Sequence, residues 1–440
     1  MKRDNAILSK ELKMNVKIQT FIAFFIGVYC FTFFRSTLVL TSPIVYFLLI
    51  IFFNKSINRY VLSISLLVIS ISIIPIIYFD FKFINYLVSI FFILPSLILL
   101  LSPVKVKHIN IDKFMKILSS LLLIVNFSAL VQFLNTAILK SGNVDDSFIG
   151  IYGTSGLIMH TLSLVNFIFF GYYYFVRNSS RSKSIIFLIS GTLCFYGLGF
   201  VIFIASFVFT SLKKKSIKLT HFLVAPILIV VIYGVINILN PTVINYTFEN
   251  LRMIKTGWQS FDYNNEMSSI KNFERSEFPR KLTMFIGSAN RLKLNPEIIL
   301  LGTGPGTYNS RTSFLLNGKY SSIKILKDNV KSTPKFATED IYPLWNRNIL
   351  FQYNDGTRNE PFSSLIAFPM EYGFPMAALV FIAIFLKLKF LYKKSKNKEF
   401  LMFLFLILGL NLLFENYLEY AEAMIIIIVI FKLEESRDRE

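Results

Sequence analysis

The run 184–212, SIIFLISGTLCFYGLGFVIFIASFVFTSL, decides how the rest of this chain is read. It holds 29 residues and no charge. A helix crosses a bilayer core in roughly 17–25 residues, so the run is too long for one crossing and short for two. Its flanks resolve the choice. Arg177, Arg181 and Lys183 precede it, and Lys213, Lys214, Lys215 and Lys218 follow it. Basic residues near span ends stay on the cytoplasmic side, so both ends lie on one side and the run crosses twice. The reversal is expected near Tyr196-Gly197-Leu198-Gly199, where two glycines permit a tight bend.

Outside this run the composition is of the same kind. The chain has 440 residues, 54% hydrophobic and 16% charged, with a mean hydropathy of +0.58. Ordinary globular chains carry about 45–50% apolar and about 25% charged residues. A soluble enzyme, a secreted domain and a disulfide scaffold are thereby excluded. Cys30 and Cys194 both sit inside apolar runs, which argues against a bridge or a metal site. Further spans read as Ile18–Phe34, Thr37–Phe53, Tyr60–Phe79, Phe83–Ser102, Phe114–Ile138, Leu157–Val176 and Phe222–Asn240. After a long polar segment come Phe374–Phe390, Phe400–Phe414 and Ala421–Phe431. The expected fold is an all-α polytopic membrane protein of about twelve transmembrane helices.

A net charge of +20 would suggest nucleic acid in a soluble protein. Its distribution points elsewhere. With the N-terminus inside, the cytoplasmic loops and tails hold 27 Lys and Arg, and the short outside loops hold only Arg35, Lys82 and Lys140. That bias sets both termini in the cytoplasm, leaves no nucleic-acid face, and gives anionic membrane lipids a secondary role. The organisation is therefore 1–240, N-terminal spans; 241–360, one large external loop; and 361–440, C-terminal spans. The external segment carries 16 Lys and Arg against 11 Asp and Glu. Long loops are exempt from the charge rule, so this excess needs another reason. The segment also contains Trp258, Trp345, several Tyr and the apolar run Ile298–Leu301, which together predict an ordered unit.

The metal and nucleophile templates fail. His108, His160 and His221 are widely separated, and there is no HExxH. The run Leu301-Gly302-Thr303-Gly304-Pro305-Gly306-Thr307-Tyr308 is neither GxGxxG nor a Walker sequence. Two readings stay open: a tight turn after a short element, or a backbone brought close to a phosphate or sugar. Glu371 lies in Phe368-Pro369-Met370-Glu371-Tyr372-Gly373-Phe374-Pro375, where two prolines and a glycine predict a broken helix around a carboxylate. Glu415 and Glu419 flank the outer end of another span, and Asn126, Gln132 and Asn135 line a third. The external arginines Arg252, Arg275, Arg280, Arg291, Arg311, Arg347 and Arg358 are natural partners for an anion.

The order of these features resembles a known family. Arg280, then Asn295-Pro296, then Leu301-Gly302-Thr303-Gly304-Pro305-Gly306 is similar to the large-loop motif of O-antigen polymerases and ligases. Gly150-Ile151-Tyr152-Gly153-Thr154-Ser155-Gly156, Leu365 through Glu371-Tyr372-Gly373, and Phe414-Glu415-Asn416-Tyr417-Leu418-Glu419 resemble three further segments of that family. One departure bears on the reaction: Pro361-Phe362-Ser363-Ser364-Leu365 stands where many ligases carry a His motif, which favours a Wzy-type polymerase.

The resemblance implies a metal-independent, cofactor-free glycosyltransferase of GT-C-like fold in the bacterial cytoplasmic (inner) membrane. Its substrate would be an undecaprenyl-diphosphate-linked oligosaccharide, elongated at the outer leaflet into O-antigen or capsular polysaccharide. A flippase and a chain-length regulator would be its partners. By family position Arg280 would stabilise the departing diphosphate, with Arg291, Arg311 and Arg358 as helpers. Gly302, Gly304, Gly306 and Tyr308 would contact substrate, and Glu371, Glu360 or Glu339 would serve as base. The alternatives are an O-antigen ligase, a polysaccharide flippase or transporter, and a non-enzymatic membrane partner.

Overall fold

A computed structural model describes residues 16–32, 41–54, 59–79, 82–104, 109–139, 147–152, 159–177, 180–213, 234, 252–259, 261–272, 278–317, 332–345 and 362–437. Among these residues the secondary structure is α-helix with short 3₁₀ and π turns, and there are no strands. That outcome follows from the sequence: apolar runs with few internal breakers satisfy every backbone group within the helix, as a bilayer requires.

The membrane part begins with α1 (Val16–Phe31), α2 (Ser42–Asn54), α3 (Arg59–Ile71), α4 (Phe83–Leu101) and α5 (Ile111–Leu139). It continues with α6 (Met159–Gly171), which ends in a π turn at Tyr172–Val176, then α7 (Arg181–Leu193) and α8 (Gly197–Lys213). Among the described residues, α4, α5 and the later Phe374–Lys394 helix are long and apolar enough to cross a membrane. Helices α1, α2, α3 and α8 are apolar but shorter. The all-α class with apolar, membrane-crossing helices therefore stands. The expected span at 222–240 lies outside the described residues.

The run at 184–212 does break into two helices, but the break precedes the glycines. The chain turns at Cys194–Tyr196, between α7 and α8, and the residue in left-handed conformation is Phe195 (φ 51°). Gly197 and Gly199 already belong to α8. Gly199 serves packing instead, since a Cβ there would overlap the Tyr196 ring.

The polar segment between α8 and the C-terminal helices builds a core of its own. Helices α9 (Tyr263–Lys271), α10 (Arg280–Leu294), α11 (Glu297–Leu301) and α12 (Arg311–Leu316) surround Met267, Ile270, Met284, Ile298, Tyr308 and Phe314. Residues 336–344 close it with Phe336, Ile341, Tyr342 and Leu344. Asp262 caps α9 by accepting from the Asn264 and Asn265 amides, and Ser310 caps α12 through the Ser313 amide. A reporter fused at Asn265 should be active on the external side of the membrane; cytoplasmic activity there would overturn the orientation.

The C-terminal part comprises α13 (Ser364–Tyr372), α14 (Phe374–Lys394), α15 (Lys398–Phe414) and α16 (Ala421–Arg437). The helix break expected from Pro369, Gly373 and Pro375 falls at Gly373, φ 80°, between α13 and α14. Helix α16 is the axis of the bundle. Every residue from Ala421 to Ser436 is buried, and α1, α2, α4 and α6 all pack on it. Its apolar middle, Ala423–Phe431, is surrounded by neighbouring helices on every side. Its polar end is tied down: Lys432 donates to the carbonyls of Leu100 (3.1 Å) and Ser102, and Lys387 pairs with Glu435 at 2.8 Å.

Candidate functional site

The site is organised by two left-handed glycines that lie against each other. Gly302 (φ 73°) follows α11, and Gly373 (φ 80°) separates α13 from α14. A Cβ on Gly302 would sit 2.6 Å from the Gly373 nitrogen, and one on Gly373 would sit 2.9 Å from the Leu300 carbonyl carbon. Without side chains the two backbones approach closely enough to bond. The Thr303 amide donates to the Met370 carbonyl (2.8 Å) and the Gly304 amide to the Glu371 carbonyl (3.0 Å). Gly304 (φ 102°) and Gly306 (φ 73°) then continue the run in conformations that L side chains rarely adopt.

The result is a nest of amides, and its occupant is Glu371. The Gly306 amide donates to Oε2 at 2.6 Å, and the Tyr308 and Ser310 amides donate to Oε1 at 2.9 and 3.1 Å. Of the two readings of the glycine run, the structure shows the tight turn after a short element, and the backbone and carboxylate it packs against are the chain's own, at Glu371 and the helix break. Glu371 is 1% exposed. A second carboxylate does similar work next door. Glu419 accepts from the Arg311 and Thr312 amides and from the Thr312 hydroxyl, holding the start of α12. Both acids line a cavity of about 10 Å³ together with Ser310, Ser364 and Asn416, room for about one water. Burial pushes the Glu371 carboxyl up to about 8, helped by the Glu419 charge and opposed by the amides. Burial likewise raises Glu419, to about 7, against the pull of its own amide donors.

The arginines are engaged with the chain as well. Arg280, 1% exposed at the start of α10, donates to the Leu344 carbonyl at 2.9 Å and so holds the turn that closes the core of the polar segment. Arg291 forks onto Asp340 (2.8 and 2.7 Å), reaches Glu339 at 2.7 Å and lies over the Phe336 ring. It borders a cleft of about 500 Å³ with Tyr263, Asn264 and Asn290. Arg311 reaches the Glu419 carbonyl and Glu422 and stacks on Tyr420. Tyr308 is fully buried, its hydroxyl on Ser288 at 3.1 Å. Arg358 and Glu360 lie outside the described residues. Three arginines expected to face a ligand thus hold internal partners, because acids far away in sequence fold back onto them.

One cluster was not foreseen. Lys281, His160 and Tyr196 converge on Oε1 of Glu415, with Lys281 Nζ at 3.7 Å, His160 Nδ1 at 3.6 Å and the Tyr196 hydroxyl donating at 3.2 Å. The imidazole stacks on the Tyr196 ring, centroids 3.9 Å apart and 19° from parallel. Lys281 also donates to the Phe414 carbonyl. Burial pushes Glu415 up, but Lys281, His160 and Tyr196 outweigh it and hold the carboxyl below its ordinary value. The four residues come from α6, the α7–α8 turn, α10 and the end of α15. The signal available in sequence was topological: each was expected at an outer span end or in the external loop. The cluster adjoins the first site, since Ser364 donates twice to the Glu415 carbonyl (3.0 and 2.9 Å) and Asn416 to that of Asn309 (2.7 Å).

No protein-family model, no curated protein and no solved structure matches this chain. Its functional reading therefore rests on the residues themselves.

Proposed function

We propose that this chain is a membrane glycosyltransferase that joins lipid-linked oligosaccharide repeat units into a polysaccharide at the outer leaflet, as Wzy-type polymerases do. One observation carries the reading: the motif segments gather in one place. Arg280, the glycine run, Glu371-Tyr372-Gly373 and Glu415 through Glu419 span about 140 positions of sequence. In the fold, Glu371 binds the glycine run, Glu419 binds the residues that follow it, and Lys281, beside Arg280, meets Glu415. Segments that merely began helices would have no reason to meet.

In this reading the glycine run and Glu371 form a rigid platform at the junction of the external core and the membrane helices. Arg280 and Lys281 bring positive charge to the start of α10, beside this platform. Arg280 fixes that start through Leu344, and its permanent charge favours an anion forming nearby. Among the carboxylates considered as base, Glu371 has both oxygens occupied by amides, and Glu339 pairs with Arg291.

The test is elongation of an undecaprenyl-diphosphate oligosaccharide by the purified protein in liposomes. Wild type should produce a ladder. Arg280→Ala should elongate roughly a hundredfold more slowly at matched membrane levels, and Arg280→Lys, which keeps the charge but not the fork, should retain part of the rate. Movement of the lipid-linked sugar across the membrane with no elongation would replace this reading with a transporter. A full ladder from Arg280→Ala would remove Arg280 from the mechanism.

A further inference from the structure

We propose that His160, oriented by Glu415, takes the proton from the attacking sugar hydroxyl during transfer; this deepens the polymerase reading above and rests on it.

The transfer needs a base, and the geometry narrows the choice. Glu371 and Glu419 are 1% and 5% exposed, and each already accepts three hydrogen bonds from the loop it holds, so both are built into the fold. Glu415 holds three partners on one oxygen, and its side chain is only 5% exposed. Lys281, 10% exposed, is a cation. The imidazole is the most accessible member of its group, 19% exposed, and the only one whose neutral form is a competent base near neutral pH.

Its surroundings have the features a positioned base requires. Nδ1 faces the Glu415 carboxylate, which fixes the ring's orientation and leaves Nε2 for the hydroxyl. Tyr196 stacks on the ring and bonds the same carboxylate oxygen, so ring and acid are held by one side chain. Lys281, on that oxygen from the other side, favours the ionised form of Glu415. The groups facing His160 are therefore Glu415 from the end of α15, Lys281 from α10 and Tyr196 from the α7–α8 turn.

The step balances without a further reagent. The acceptor oxygen bonds to the anomeric carbon of the lipid-linked glycan as its proton passes to Nε2. The bond from that carbon to the diphosphate oxygen breaks, and its electron pair leaves on the polyprenyl diphosphate. The imidazolium then loses its proton to water.

The experiment is elongation in liposomes from about pH 5 to about pH 9, with undecaprenyl-diphosphate oligosaccharide as substrate. Wild type should lose rate on the acid side along a single-proton limb. His160→Gln should keep the protein folded and inserted, lose about a hundredfold or more of the rate, and lose the acid limb. His160→Ala should regain part of its rate when free imidazole is added. A His160→Gln variant that elongates at the wild-type rate overturns the proposal, as does one that is slow but keeps the limb. A wild-type protein that elongates nothing at any pH overturns the polymerase reading, and the base assignment falls with it.

Discussion

Glu371→Ala should leave little folded protein in the membrane. Three amides, from Gly306, Tyr308 and Ser310, end on this carboxylate in a buried site. Each buried donor left unpaired costs about 1–3 kcal/mol, so the loss is on the order of 5 kcal/mol, a large share of a typical domain's stability. Glu371→Gln should fall between, because its carbonyl still accepts at one position while its NH₂ opposes a donor at the other. Thermal unfolding in detergent reads the difference directly. A Glu371→Ala protein that melts with wild type would mean that the glycine run is held by something else.

The same pair gives stability a pH dependence whose sign can be worked out. Burial raises both carboxyls from 4.5, Glu371 to about 8 and Glu419 to about 7. The folded state therefore binds these protons more tightly than the unfolded chain. The contribution is full below about pH 4.5 and is lost as pH rises through about 7 to 8. The melting temperature should fall across that window, and Glu419→Gln should flatten the fall.

Gly302→Ala is the second large effect expected, and Gly302→Val a larger one. At φ 73° an L side chain costs roughly 1–2 kcal/mol before any contact is counted. The added carbon would also lie 2.5 Å from the Glu371 carbonyl carbon and 2.6 Å from the Gly373 nitrogen, both backbone atoms with nowhere to go. The two backbone segments would separate and lose the Thr303–Met370 and Gly304–Glu371 bonds, about 1 kcal/mol each. Gly304→Val should be gentler on insertion and abundance while still abolishing elongation. Equal melting temperatures for wild type and Gly302→Ala would show that the backbones do not cross as described.

Much of this fold was legible in the sequence, for identifiable reasons. Long apolar runs without breakers leave a chain no option but helix, and Pro369, Gly373 and Pro375 together forced the break that α13 and α14 show. Gly302, Gly304 and Gly306 all take a positive-φ backbone that L side chains rarely adopt, which is why the run stands out in sequence. The bend in 184–212 was placed too late because glycine permits a left-handed turn but does not require it; packing put Phe195 there instead. The partners of the arginines were not legible. Arg291 and Asp340 are 49 positions apart, and nothing local to either residue specifies the other. The Glu415 cluster was hidden for the same reason, its members coming from four separated segments. Composition and periodicity describe neighbours along the chain, whereas this site is made of neighbours across it.

Helix α16 follows every other described helix in the chain, yet it is the one around which they are arranged. A ribosome delivers the surrounding helices to the bilayer first, so α1, α2, α4 and α6 must wait with their inward faces turned to lipid or to one another until the final segment arrives. Closure of the bundle is then a single late event rather than a progressive one. The turn that carries Glu415 and Glu419 leads directly into α16, and so both carboxylates reach their partners only with its arrival.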